Sequence, residues 1–231
     1  MARLEPPRDV FLAGCATLAT AFAGDGFAYR RAHPKLVRKL GDFTEEVLFR
    51  TNRYNEAGQL TQLWVDVVLS SRRMAAWRAR HPAPVVSSYV GGTALGNLLP
   101  PKTDWNLAAR STRARTLRAA EHAIRTVGLP YLALLRDPVA LERTLLARDL
   151  RGMSPDALID PLVCFGGVEA GTRYAGAIVD RHPDMAARIR NSAKHVRRTG
   201  ALGASADTYF DTFAERLVQL GVPVPGARSR R

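Results

Sequence analysis

Two glycine-framed segments have the outer glycine spacing of a phosphate-binding loop. They are residues 91–96 (GGTALG) and residues 166–171 (GGVEAG). In such a loop a lysine follows the last glycine and meets the β- and γ-phosphates of a nucleotide. Asn97 and Thr172 stand at those positions, so the required charge is missing. We therefore interpret both segments as glycines of a loop or a helix junction.

The carboxylates and histidines lack the spacing of a catalytic or metal site. Asp66 lies inside a strand pattern, where a nuclease would place a metal ligand, but residues 84–90 lack the Asp/Glu-x-Lys tripeptide that would complete the site. The histidines show no His-x-His or His-Glu-x-x-His spacing, and neither cysteine lies at ligand spacing to one. No Gly-x-Ser-x-Gly sequence marks a nucleophile. We predict no catalytic residue, no metal and no cofactor.

Basic helix faces are the clearest binding signal. At 100° per residue, helical patterns over residues 112–127 and 184–199 place apolar residues on one side and basic residues on the other. Such faces can meet phosphates or an acidic protein, although a solvated helix face is the commoner explanation. The predicted binding residues are Arg115, Arg118 and Arg125 on the first pattern, and Arg190, Lys194, Arg197 and Arg198 on the second.

A third candidate site lies near residues 91–105, where glycines and prolines predict a loop. An enzyme built there would assemble its site from residues that are distant in sequence. A pocket that holds Asp66, Lys102, Asp104 and Trp105 together would favour this alternative.

The net charge also points to an anionic partner. The chain has 231 residues, with 34 Lys and Arg against 21 Asp and Glu, and a formal net charge of +13. A charge of this size suggests nucleic acid, an anionic surface or an acidic protein. The charge is spread over both halves of the chain. High Arg and Ala contents, as in GC-rich genomes, offer a simpler explanation and indicate a bacterial source.

The cysteines and the apolar segments of the sequence predict a cytoplasmic location. Cys15 and Cys164 each lie in an apolar helical pattern, which is typical of core residues and not of a disulfide framework. Residues 10–24 are apolar like a signal peptide, but Glu5 and Asp9 precede them. No apolar run reaches the roughly 18 residues of a membrane span. We expect no membrane partner.

Period-two alternation predicts the sheet. Residues 42–52 and 60–71 alternate around the turn at Asn55–Gln59, which is the pattern of a β-hairpin. The second strand places Leu63, Val65, Val67 and Leu69 on one face. Further strands are predicted at residues 27–31, 84–90 and 104–107, and residues 35–40 either continue the strand at 27–31 or pair with it. Gly91, Gly92 and Gly96 are expected to interrupt regular structure.

Helical patterns flank the strands. An amphipathic helix over residues 8–24 precedes them, and helices follow from Ser111, which is predicted to cap the first of these. Gly128-Leu129-Pro130 is expected to end that helix. Asp137-Pro138 and Ser154-Pro155 each place a capping residue before a proline at the first helical position.

These elements predict an α+β fold. An antiparallel sheet of about four to five strands packs with the N-terminal helix and is followed by an all-helical extension. The predicted domains are an α+β domain over residues 1–149, a helical extension over 150–222 and a disordered basic tail over 223–231.

The order of these features resembles a bacterial family, the domain of unknown function 4304, over residues 8–147. The matching segments, in chain order, are Gly26-Phe27, residues 47–50, residues 63–67, residues 98–100 with Trp105, and residues 128–130. The family has no established activity, so the resemblance implies no catalytic residue. Small α+β proteins of this kind resemble intracellular immunity and accessory proteins of bacterial conflict systems, an analogy of fold only.

The predicted function is therefore binding without catalysis. We expect an intracellular protein that binds another protein, such as an acidic partner, as an immunity or accessory factor. Nucleic-acid binding through the basic helix faces is the first alternative. An enzyme with its site near residues 91–105 is the second. No feature of the sequence indicates whether the chain is a monomer or an oligomer.

Overall fold

A computed structural model of the chain describes residues 4–81, 88–99, 103–201 and 208–226. It confirms the predicted α+β fold, with an N-terminal helix, an antiparallel sheet and a C-terminal helical region. The sheet has six strands, one more than the upper end of the prediction. They are β1 (Ala28–Arg30), β2 (Lys35–Leu40), β3 (Phe43–Arg50), β4 (Gln62–Ser71), β5 (Tyr89–Ala94) and β6 (Trp105–Asn106). Of the residues predicted as a strand at 84–90, residues 84–87 lie outside the described ranges.

Strands β1 to β5 pair in chain order, and β6 pairs with β4. Residues 35–40 pair antiparallel with both neighbours, at Leu36↔Tyr29 and Leu36↔Val47. The predicted face of β4 is confirmed, because Leu63, Val65, Val67 and Leu69 are all buried. The alternation arises because successive side chains of a strand point to opposite faces of the sheet.

The prediction that Gly91 and Gly92 break regular structure is wrong, because both lie inside β5. A Cβ on Gly92 would overlap the carbonyl oxygen of Val67 and would lie 2.9 Å from the Cα of Val68. The glycine therefore permits a close approach of β5 to β4 that a larger residue would prevent.

The described residues form nine helices, which are, in chain order, α1 (Pro7–Phe22), α2 (Arg72–Arg78), α3 (Leu95–Leu98), α4 (Arg110–Ala123), α5 (Leu129–Arg136), α6 (Pro138–Ala147), α7 (Pro155–Arg181), α8 (Pro183–Thr199) and α9 (Tyr209–Gln219). Asp137 caps α6 as predicted, by accepting from the backbone N–H groups of Val139 and Ala140. Ser111 caps no helix, since α4 begins one residue earlier. Within these ranges no helix combines the length and apolar character needed to cross a bilayer.

Residues 128–130 do not end the helical path, contrary to the prediction. A π-helical turn, Ile124–Gly128, joins α4 to α5, and the N–H of Leu129 donates to the carbonyl of Ile124. Pro130 then lies in the first turn of α5, where its missing N–H costs no hydrogen bond of that helix.

The predicted glycine junction in α7 is present at Gly167, whose φ of 79° and ψ of 175° are not helical. A Cβ on Gly171 would lie 2.7 Å from Val163 and 3.3 Å from Ile159. Residues 12 apart in a straight helix are about 18 Å apart along its axis. The two arms of α7 therefore fold against one another at Gly167.

The chain folds into two compact units, which we call the first and second unit. The first comprises Met1–Ser70 and Gly92–Ala133, and the second comprises Ser71–Gly91 and Leu134–Arg231. The bounds of these units differ from those of the predicted domains. The domains at 1–149 and 150–222 stay predictions. In the predicted disordered tail, Val224 is buried, and residues 227–231 lie outside the described ranges.

Each unit has its own core. In the first unit α1 contacts α4, β1 and β2, and buries Leu18 and Phe22. In the second unit α7 contacts α2, α6, α8 and α9. Cys15 is a buried free thiol of the first unit, and Cys164 is a buried free thiol of the second.

Candidate functional site: an arginine-lined groove

The residues predicted near the 91–105 loop are not brought together. Trp105 pairs with Leu63, so it shares the buried face of the sheet, whereas Asp66 lies on the opposite face. Asp66 forms an ion pair with Arg50 at 2.5 Å, and Asp104 accepts from Gln62 at 3.1 Å. Lys102 lies outside the described residues. The enzyme alternative therefore gains no support from this set.

The basic residues predicted on α4 and the turn after it differ in their exposure and in their hydrogen bonds. Arg115 and Arg118 are exposed. Arg125 donates to Glu121 Oε1 at 2.9 Å and to Asp25 Oδ2 at 2.6 Å, and its guanidinium lies over the ring of Phe22. These hydrogen bonds raise the pKa of Arg125. Its charge is already matched inside the first unit, so it has little left to offer an incoming anion.

The basic residues predicted on α8 form a stripe that we call the α8 stripe: Arg190, Lys194, Arg197 and Arg198. Ile189, Ala193 and Val196 bury the opposite side of the helix, as predicted. Lys194, Arg197 and Arg198 are exposed and Arg190 is half-buried. None of the four forms a hydrogen bond or ion pair with the described residues, whereas Arg188 on the same helix binds Asp211. The last turn of a helix also favours cations through its dipole, which offers a structural reason for Arg197 and Arg198.

A groove of the first unit gathers a set of cations that the sequence patterns did not indicate. It has a volume of about 780 Å³ and is formed by the start of α1, the turn after β1 and the loop after β3. Three exposed arginines line it, namely Arg8, Arg31 and Arg53. We call this feature the arginine groove.

The loop of residues 51–55 holds Arg53 in place through its own hydrogen bonds. Thr51 donates to the Gln62 carbonyl at 2.7 Å, and Asn55 accepts from the Gln62 N–H at 3.0 Å. Asn52 accepts from the N–H of Tyr54 at 3.0 Å. Side-chain bonds of this kind stabilise a turn without a regular ladder. The loop is therefore ordered by contacts that do not use the arginine.

Arg53 keeps its charge available to solvent. Its guanidinium lies 4.6 Å from the ring centre of Tyr54 and donates to the Tyr54 hydroxyl. Tyr54 is 67% exposed, although it is a large aromatic residue. A stacked arginine retains its full charge and most of its N–H donors.

The other two arginines have no partner among the described residues. Arg8 lies in the first turn of α1, next to Pro7 at the first helical position, and Arg31 lies in the turn between β1 and β2. Neither forms a hydrogen bond or an ion pair in the described part of the chain. By contrast, Arg113 of the same unit binds Glu5 at 2.8 Å. The groove therefore holds charge that no carboxylate of the described residues offsets.

The groove combines this charge with an apolar floor. Phe11, Leu12 and Pro34 contribute apolar surface, while Asn52 and Asn55 contribute amides. No carboxylate lines it among the described residues. Because unpaired guanidiniums bind carboxylates through two N–H donors, the groove offers binding to an anion that also carries apolar groups.

Sequence patterns carry little sign of this site. Arg8, Arg31 and Arg53 are separated by more than 20 residues each and lie in three different elements. The one available signal is local: Arg53-Tyr54 follows Asn52 and precedes Asn55 in a predicted turn. Arg next to Tyr in a polar turn is typical of a binding surface.

The described residues contain no group of three or more His, Cys, Asp or Glu side chains that could hold a metal ion. The resemblance to the domain of unknown function 4304 stays a prediction. Comparison with known proteins gives no match, whether with a family model, a curated protein or a solved structure.

Proposed function

We propose that this chain is an intracellular protein that binds an acidic segment of a partner protein in the arginine groove. The observation that carries the proposal is the presence of three arginines without a carboxylate partner above an apolar floor. Two buried free thiols, in place of disulfides, support an intracellular location. That the partner is a toxin, as the analogy with immunity proteins suggests, stays a prediction.

A peptide fits the groove better than a nucleic acid strand does. The floor residues Phe11, Leu12 and Pro34 need apolar groups to cover them, and acidic peptides can carry Leu or Phe beside Asp or Glu. Interfaces between proteins are enriched in arginine and aromatic residues around an apolar centre. A nucleic acid strand would contact mainly the arginines and would leave much of the floor uncovered.

The experiment is a selection of random 15-residue peptides on the purified chain, followed by affinity measurements. We expect the selected peptides to combine Asp or Glu with apolar residues. Their affinity should fall about tenfold for each of Arg8→Glu, Arg31→Glu and Arg53→Glu, since each loses a charge-assisted hydrogen bond. Ala32→Glu should also weaken binding, because it places a negative charge in the lining at an exposed position.

Arg143→Glu is the matched control. Arg143 is an exposed arginine on α6 of the second unit, without a hydrogen bond among the described residues, so its reversal changes the net charge equally. We expect this variant to keep full affinity for the peptides. Selected peptides without acidic residues, or equal losses in the control, would contradict the proposal.

A second candidate function is nucleic-acid binding through the α8 stripe. The supporting observation is that four cations share one side of a helix without a carboxylate partner among the described residues. Binding of a labelled 20-nucleotide strand should then weaken steeply with salt. Neutralising Arg190, Lys194, Arg197 and Arg198 should remove most of it. Binding that is absent at low salt, or unchanged in this variant, would reject this candidate.

A further inference from the structure

The second unit contains a separate pocket with unused hydrogen-bonding groups. Its volume is about 310 Å³, at the low end of the range of about 300–1,000 Å³ found for small-molecule sites. It lies between the segment after α6, both arms of α7 and the first residue of α9. Its lining residues are Asp149, Leu150, Met153, Ser154, Pro155, Leu158, Tyr174, His182 and Tyr209. We call it the Tyr174 pocket.

Tyr174 is the most unusual residue of this pocket. It is 1% exposed, and its ring packs edge-on against Phe213 at 5.9 Å. Its hydroxyl forms no hydrogen bond with any described residue. Burial raises the pKa of Tyr174, so the hydroxyl stays protonated at neutral pH. Because Tyr174 lines the pocket, its hydroxyl is available to bond to a group that enters there.

Two further hydroxyl groups at the pocket are also unused. Ser154 stands at the N-cap of α7, but its side chain does not accept the usual hydrogen bond from the helix. Serine at this position normally does so. Tyr209, at the start of α9, is half-exposed at the pocket, and its hydroxyl has no partner among the described residues. Three hydroxyls therefore remain available to a ligand.

The one carboxylate that lines the pocket, Asp149, is paired. Asp149 accepts from Arg181 Nε at 3.0 Å, and Nε2 of His182 lies 3.1 Å from its other oxygen. The second ring nitrogen of His182, Nδ1, has no partner among the described residues. The carboxylate and the guanidinium offset each other, so the pocket presents hydrogen-bonding groups without a strong net charge.

We propose that the Tyr174 pocket binds an uncharged, planar heterocycle of the size of a nucleobase. Leu150, Met153, Pro155 and Leu158 provide apolar walls for the two faces of a flat ring. The hydroxyls of Ser154 and Tyr174 and the Nδ1 of His182 would bond to polar atoms at its edge. Tyr209 provides an exposed ring on which the ligand can stack.

Two other ligand classes fit less well. A sugar carries hydroxyls around its whole rim, and several of these would lie against the four apolar walls without a partner. A phosphate or carboxylate would meet no lysine or arginine among the described lining residues. A free base is therefore favoured over a nucleotide.

Titration of the 231-residue chain with adenine, followed by ligand-observed NMR, tests the proposal. We expect saturable binding at millimolar concentration or below. Tyr174→Phe should weaken it about tenfold, because only one hydrogen bond is removed and the ring is kept. Ser154→Ala, which lies at the pocket and leaves the helix cap unchanged, is the second variant and should also weaken binding. Tyr29→Phe, in the first unit, is the control and should have no effect.

Adenosine 5′-monophosphate distinguishes a base from an anion as the preferred ligand. We expect it to bind no more tightly than adenine. Tighter binding of the nucleotide, no binding of adenine at about 10 mM, or equal affinity in wild type, Tyr174→Phe and Ser154→Ala would each overturn the proposal.

Discussion

In the interior of the second unit, Nε of Arg216 donates to Oδ1 of Asp160 at 2.5 Å, and both side chains are less than one-tenth exposed. Arg78 donates to the other carboxylate oxygen at 3.0 Å and is equally buried. The arginines also donate to the carbonyls of Tyr89 and His81. One carboxylate thus stands between two buried guanidiniums, and these contacts link α2, α7 and α9.

We therefore expect Asp160→Asn to lower the free energy of unfolding by about 3–5 kcal/mol, because it removes a buried negative charge that binds two buried guanidiniums. Urea denaturation at pH 7 measures this loss. Glu142→Gln removes one carboxylate of a half-exposed pair with Arg173 and should cost less than about 1 kcal/mol. Equal losses in the two variants would contradict the role assigned to Asp160.

The carboxylate of Asp211 should make stability depend on pH in the acid range. Hydrogen bonds from Arg188, and then from Ser192 and Thr208, hold the pKa of Asp211 well below its usual value. A depressed folded-state pKa contributes stability above the unfolded-state pKa, and this contribution is lost as the pH falls toward the folded-state pKa.

Asp211→Asn should accordingly cost about 1–3 kcal/mol at pH 7, and the difference from wild type should shrink below about pH 4. Urea denaturation at pH 7 and pH 3 measures both values. Asp184→Asn is the control. Asp184 is an exposed residue of α8 without a partner among the described residues, so the stability of this variant should differ little from that of wild type at either pH. A difference for Asp211→Asn that stays constant with pH would refute the assignment.

Gly167 should resist substitution because its backbone conformation excludes a side chain. With φ at 79° and ψ at 175°, it occupies a region that is nearly restricted to glycine. We expect Gly167→Ala to destabilise the chain by about 1–3 kcal/mol. Gly176→Ala is the matched control in the same helix, where a Cβ would meet nothing within 4 Å. It should stabilise by about 0.5–1 kcal/mol through helix propensity. Thermal unfolding of both variants gives the comparison.

Gly92 should resist substitution for a different reason, namely the lack of space. A Cβ there would overlap the Val67 carbonyl oxygen and lie 2.9 Å from the Val68 Cα, which are backbone atoms of β4. Gly92→Ala should cost at least about 1–3 kcal/mol, since the strands must separate. Gly24→Ala, at a position without neighbours within 4 Å, should change the unfolding temperature little. Similar unfolding temperatures for the two variants would contradict this account.

The fold was predictable where a pattern is local and repeated. Alternation from Leu63 to Leu69 identified the buried face of β4, and Asp137-Pro138 identified the start of α6. Errors fell on the predicted caps Ser111 and Ser154, and on glycine and proline. Gly92 belongs to β5 because of a neighbouring strand, and Pro130 continues a helical path because a π-turn precedes it. Both outcomes depend on three-dimensional neighbours that no sequence window contains.

The candidate site was less predictable than the fold. Helical periodicity found the α8 stripe, since four cations recur on one side of one helix. It could not find the arginine groove, whose three arginines come from a helix, a turn and a loop. It also assigned Arg125 to a binding face, although Glu121 and Asp25 already bind that side chain. Periodicity reports which side of a helix a residue occupies, but it does not report which acids lie opposite.

The two cysteines can report local unfolding of each unit. Cys15 lies in the first unit and Cys164 in the second, and both thiols are buried and free. Burial raises the pKa of Cys15 to about 12 and also raises that of Cys164. A thiol reagent can therefore label each residue only when the surrounding structure opens. Mass spectrometry of the labelled peptides would time the opening of each unit separately in the natural sequence, without an engineered cysteine.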